Sequence, residues 1–83
     1  MIVDEGYLRS VEARLSATTR GPWKSFVEGR DHYSGSDFIK TAGEDIELSG
    51  ATVADQDFIA HARQDVENLL DEVIRLRTLT AAG

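Results

Sequence analysis

Apolar side chains recur along this chain first with the period of a helix, then with that of a strand, then with that of a helix again. Through "DEGYLRSVEARLSATT", Tyr7, Leu8, Val11 and Leu15 share one face, while Arg9, Glu12 and Arg14 point away from it. That is the stripe of an amphipathic helix. Asp4 is placed to cap its start, Glu5 suits the positive end of the helix dipole, and Gly6 weakens the first turn. The stretch "ATTRGP" should end it, because proline disfavours helical geometry in the residue before it and has no amide to donate.

From Trp23 the period shortens to two. Aromatic and β-branched residues bounded by glycines in "GPWKSFVEG" predict a strand at about 23–28, with Trp23, Ser25 and Val27 on one side and Lys24, Phe26 and Glu28 on the other. The polar run "GRDHYSGSD" reads as a loop. "DFIKTA" predicts a second strand and "IELSG" a third, in which Ile46 and Leu48 share a face and Glu47 points away. Short connections favour antiparallel neighbours, so the three form a meander.

Helical spacing returns after "GATVADQDFIA". Thr52 with Asp55 makes a short capping box, and Phe58, Ile59, Ala62, Val66, Leu69, Leu70, Val73, Ile74 and Leu76 continue the stripe. Asp65 is placed to cap a separate segment, so the expectation is a helix over 53–63 and a longer one over 66–79, separate or fused, with a frayed tail. The predicted fold is therefore α+β: an N-terminal helix, a three-stranded antiparallel meander, and one or two C-terminal helices packed on the sheet, in a single domain of residues 1–83. Trp23 and Phe58 are its expected structural anchors.

Size changes what this fold needs. A chain of 83 residues buries only roughly 60% of its unfolded surface, and such domains usually rely on disulfides, metals or oligomerisation. There is no cysteine, which excludes disulfides and thiolate metal sites. Self-association remains. Val66, Leu69, Val73, Leu76 and Thr80 step by three and four, as heptad a and d positions do, and Leu70 and Ile74 add a second strip beside them. The expected oligomer or partner interface is thus Val66, Leu69, Leu70, Val73, Ile74 and Leu76, meeting a second copy or a host protein.

Charge and candidate chemistry narrow the function classes. With 15 acidic residues against 9 dispersed basic ones, the net charge of −6 disfavours direct nucleic-acid binding. No apolar run approaches the ~20 residues of a membrane span, and the acidic start is unlike a signal peptide, so a cytoplasmic protein is expected. Asp57, His61 and Asp65 lie four residues apart on one helix side, which poses an acid–base or metal reading. A His–Asp pair supplies two ligands where zinc takes three or four, so a solvated face is the better expectation and no metal or cofactor is implied. The loop "DHYSGSD" lacks the ligand register of a calcium loop and the lysine of a phosphate loop. No serine has a histidine partner by spacing, so no catalytic residue is expected and the chain reads as a non-enzyme.

Two motifs carry a family resemblance. "LSATTRGPW" is similar to an "A-T-x-G-P-W" entry, and "DQDFIAHARQDVENLLDEVIRLR" to a closing "D-x-F-I-A" followed by a leucine-rich helix. Together they resemble the Ead-type accessory proteins of temperate phages and their uncharacterised actinobacterial and actinophage relatives. Arg20 and Glu67 stand where that pattern often has proline. The resemblance implies a dispensable phage or prophage product in the host cytoplasm, with no catalytic residues to carry over.

The expectation is then a non-enzymatic interaction module that self-associates through its C-terminal helix. One alternative is a protein that sequesters a small nucleotide-type signal of host defence. Its phosphate contacts would come from a loop at Arg30, Asp31, His32 and Tyr33, with Arg20 or Lys24. Another is an acidic inhibitor of a host nucleic-acid enzyme, which the scattered arginines disfavour.

Overall fold

The computed structural model describes residues 3–31 and 35–82, in the order α1 (Glu5–Ser16), β1 (Lys24–Phe26), β2 (Phe38–Lys40) and α2 (Val53–Ala82). The chain divides into two compact units, Thr19–Gln64 and Met1–Thr18 with Asp65–Gly83, and α2 runs through both.

α1 begins as its residues dictate. Asp4 holds an extended backbone and its carboxylate accepts the Tyr7 amide at 2.8 Å. Leu8, Val11 and Leu15 are half-buried, whereas Tyr7, expected on the same face, is exposed. In the same unit Leu70 of α2 is buried and Val73 half-buried. The Arg77 guanidinium donates to the Val3 carbonyl.

The other unit is built on a very short ribbon. β1 and β2 pair antiparallel with Lys24 opposite Lys40, Ser25 opposite Ile39 and Phe26 opposite Phe38. The Phe26 and Phe38 rings stack 5.2 Å apart, and Ile39 is the largest side chain wholly withdrawn from water among the described residues. The alternation along the first strand is as expected: Ser25 and Val27 are buried, Lys24 and Glu28 exposed.

The third strand of the expected meander is not formed. Ile46 makes a single antiparallel bridge to Ile39, with reciprocal amide–carbonyl bonds of 2.8 and 2.9 Å. Its side-chain alternation is real, since Ile46 and Leu48 are half-buried and Glu47 exposed. The ladder stops because the neighbouring backbone is used otherwise. Before it, the Thr41 hydroxyl accepts from the Gly43 amide and donates to the Glu44 carbonyl. After it, the chain turns at Gly50, whose φ of +81° suits glycine, into the cap of α2.

α2 opens with the expected capping box: the Asp55 amide bonds Thr52 Oγ1 at 3.0 Å and the Thr52 amide bonds Asp55 Oδ2 at 3.1 Å. No break occurs at Asp65, so the two expected C-terminal helices are one.

What the helix turns toward the ribbon is a row of glutamines rather than its largest apolar side chains. Gln56, Ala60 and Gln64 follow at four-residue steps; Gln56 and Ala60 are buried, and Gln64 is half-buried. Gln56 Nε2 donates to Ser25 Oγ at 2.8 Å and to the Phe26 and Phe38 carbonyls at 3.2 Å. Gln64 accepts the Trp23 amide at 2.7 Å and donates to the Trp23 carbonyl at 2.9 Å. Trp23 is thus tied to the helix through its backbone, and its indole N–H donates to the Thr19 carbonyl.

Phe58 is not an anchor. It stands about 200° round the helix from Gln56 and is 74% exposed. Replacing Gln56 by Met, which keeps its volume and deletes these bonds, should cost ~2–3 kcal/mol because two part-buried carbonyls and a buried hydroxyl lose their donor. A fall in the urea midpoint at unchanged slope would report it.

Candidate functional site

The polar candidate lies where the turn after β1 meets the first turns of α2. The Val27 carbonyl accepts from the amides of Arg30 and Asp31, and the Asp31 carboxylate accepts the Val27 amide at 2.7 Å. Gly29, at a φ of +83°, supplies the left-handed residue this tight return requires. The turn delivers Arg30 onto Asp57. Its two terminal nitrogens grip the two carboxylate oxygens at 2.8 and 3.1 Å, and its Nε reaches Asp31 at 3.1 Å. The Ser25 hydroxyl, itself an acceptor for Gln56, also helps to keep the Asp57 carboxylate charged.

These bonds fix the protonation states. The Arg30 guanidinium, helped by the Ser25 hydroxyl, holds the Asp57 carboxyl down at about 2, and the paired carboxylates raise Arg30 above its usual value. The Val27 amide is the main cause that keeps Asp31 below the ordinary carboxylate range. A carboxyl titrating near 2 neither gives nor takes a proton at neutral pH, so the arrangement is suited to fastening and not to general acid–base work.

Trp23, Lys24, Ser25, Arg30, Asp31, Asp57 and His61 line a recess of about 330 Å³ here. His61 is exposed and its Nδ1 donates to the Asp57 main-chain carbonyl at 2.9 Å; Asp65 is exposed as well. Asp57, His61 and Asp65 thus do not act together. Asp57 belongs to Arg30, which the helix spacing alone did not reveal. Among the described residues no three His, Cys, Asp or Glu side chains gather as a metal site.

Of the expected ligand loop, Arg30 and Asp31 are committed to this ion pair, and His32 and Tyr33 lie outside the described residues. Lys24 lines the recess, whereas Arg20 is not among its lining residues. With the Arg30 fork filled by Asp57, the main phosphate contact of a nucleotide site is already occupied.

The apolar candidate is the C-terminal half of α2. Leu70, expected on the outer strip with Ile74, is instead buried, at 6% exposure. Val73 is half-buried, while Val66, Ile74 and Leu76 are exposed. The most open large apolar residues of this half are Leu69 at 65%, Leu79 at 56% and Leu76 at 49%. Beside them, an apolar groove of about 880 Å³ runs between Leu8 of α1 and Val73, Ile74 and Leu76 of α2. Among the described residues no helix is long and apolar enough to cross a membrane.

Set against protein-family models, curated proteins and solved structures, the chain finds no match in any of the three.

The ion pair has a pH signature. The Asp57 carboxyl titrates near 2 when folded and near its ordinary 3.8 when released, so its stabilisation is complete above about pH 4 and is lost as pH falls through 2. Thermal midpoints measured between pH 2 and 5 should therefore climb more steeply for wild type than for Asp57→Asn.

Proposed function

We propose that this chain is a non-enzymatic protein-interaction module that associates with itself through the C-terminal half of α2. We place it, on the resemblance of its motifs, among phage or prophage accessory proteins working in the host cytoplasm. One observation carries the interaction reading. Leu69, Leu76 and Leu79 stand on one side of the helix at 65, 49 and 56% exposure, while Leu70 immediately beside them is buried. The helix thus has an apolar face spent on its own fold and a second one that is not. Exposed apolar surface of this kind marks association sites.

The modest interior supports the same reading. Among the described residues the buried apolar side chains are Val27, Ile39, Ala60 and Leu70, and each strand is three residues long. Burying three further leucines between copies adds what a chain without cysteine has no disulfide to supply. The site's chemistry agrees with a non-enzyme, since Asp57 is ion-paired and its carboxyl is depressed far below neutrality.

Sedimentation equilibrium at micromolar concentration tests this. The wild type should be a dimer or larger. Leu69→Glu and Leu76→Glu should yield folded monomers, whereas Leu70→Glu should unfold the chain, because only Leu70 is buried within one copy. A wild-type monomer would reject the proposal.

A further inference from the structure

The exposed stripe of α2 is interrupted by one charged pair, and that pair bears on how two copies meet. Leu69, Glu72, Leu76 and Leu79 follow at steps of three, four and three, the spacing of successive a and d positions, and fall within about 80° of one another round the helix. All four are exposed. Glu72 therefore stands on the seam itself. Arg75 flanks it and donates to both of its carboxylate oxygens, through Nε at 3.0 Å and through Nη2.

Building on the self-association reading above, we propose that this seam pairs antiparallel with a second copy about a two-fold axis near residue 74. Leu69 then packs against Leu79 of the second copy. Glu72 and Arg75 bridge to Arg75 and Glu72 of that copy. The four groups close into a ring in which each guanidinium lies between two carboxylates. Arginine has the donors for it: five N–H groups in a planar fork, of which the intrachain pair engages only some.

Charge selects this orientation. Parallel, in-register pairing sets Glu72 against Glu72 in an apolar seam and Arg75 beside Arg75, with the carboxylates desolvated and repelling. The wider pattern acts the same way. Asp65, Asp71 and Glu72 precede Arg75 and Arg77 along this half of the helix, so turning one copy end for end brings the acidic stretch against the basic one. A seam that carries both signs in this order is complementary to itself reversed, which is what an isologous two-fold contact demands.

Charge exchange between the two positions tests the geometry. Both side chains are at least half exposed, so the variants should keep their fold, with circular dichroism as the check. Glu72→Arg and Arg75→Glu should each weaken association roughly tenfold or more, since each sets like charges across the seam. The double variant, Glu72→Arg with Arg75→Glu, should regain wild-type association. Mixed with differently tagged wild type, the double variant should form its own dimers and exclude the wild type. Preferential wild-type–double heterodimers would overturn the antiparallel arrangement in favour of a parallel one. A wild-type dimer indifferent to both single reversals would overturn the cross-pairing while sparing self-association. A wild-type monomer would overturn both.

Discussion

A ribbon of two three-residue strands does not hold itself together in water, because one short ladder of hydrogen bonds does not offset the entropy of ordering it. The strands here are kept by what closes on them from the side. Gln64 presents a carbonyl and an amino group to Trp23 in the manner of a neighbouring strand, bonding both its N–H and its C=O. Eight residues earlier on α2, Gln56 sends its amino group to the Ser25 hydroxyl and to one carbonyl from each strand. A glutamine amide is chemically a peptide group on a flexible stem, so the helix supplies the edge pairing that a third strand would have given. Ala60 between them is fully buried and small enough to let the helix approach.

The ionic contacts around this joint extend it. Arg30 is aimed by a glycine turn at Asp57, one residue beyond Gln56, and Ser25, which accepts from Gln56, also favours the charged form of Asp57. The cluster that looks most like chemistry in the sequence is thereby a clasp. Its carboxylate is charged at every physiological pH, and its guanidinium is held from both sides. The commitments that make it a good fastening are the bidentate Arg30–Asp57 pair and the Arg30–Asp31 contact.

In the other unit the balance reverses, and apolar side chains carry the meaning. α1 contributes Leu8, Val11 and Leu15 and α2 contributes Leu70 and Val73 to partly or wholly buried positions, which leaves Leu69, Leu76 and Leu79 as the most exposed large apolar residues of this half of α2. A long helix partnered by a short one has more than one apolar strip, and only one of them can face inward. The strip left outside has Glu72 and Arg75 set in it as an exposed ion pair, and the proposed self-association rests on it.

Local chemistry was legible in the residues themselves. Asp4 and the Thr52–Asp55 pair had to cap whatever helices followed them, the residues from Leu8 to Leu15 had to form a stripe, and the alternation from Lys24 to Glu28 and from Ile46 to Leu48 had to be strand-like. Each depends on neighbours a few positions away. The interior's composition was not legible, because which face of α2 turns inward is set by backbone groups far along the chain that need donors and acceptors. Those groups selected Gln56 and Gln64 over Phe58, while the turn at Gly29 gave Asp57 to Arg30 and the Thr41 and Gly50 turns confined the third strand's pairing to the single residue Ile46. Helical spacing marked Leu69 and Leu70 as equally apolar. Only the tertiary structure separated them, since burial of one decides the exposure of the other, about 100° round the same helix.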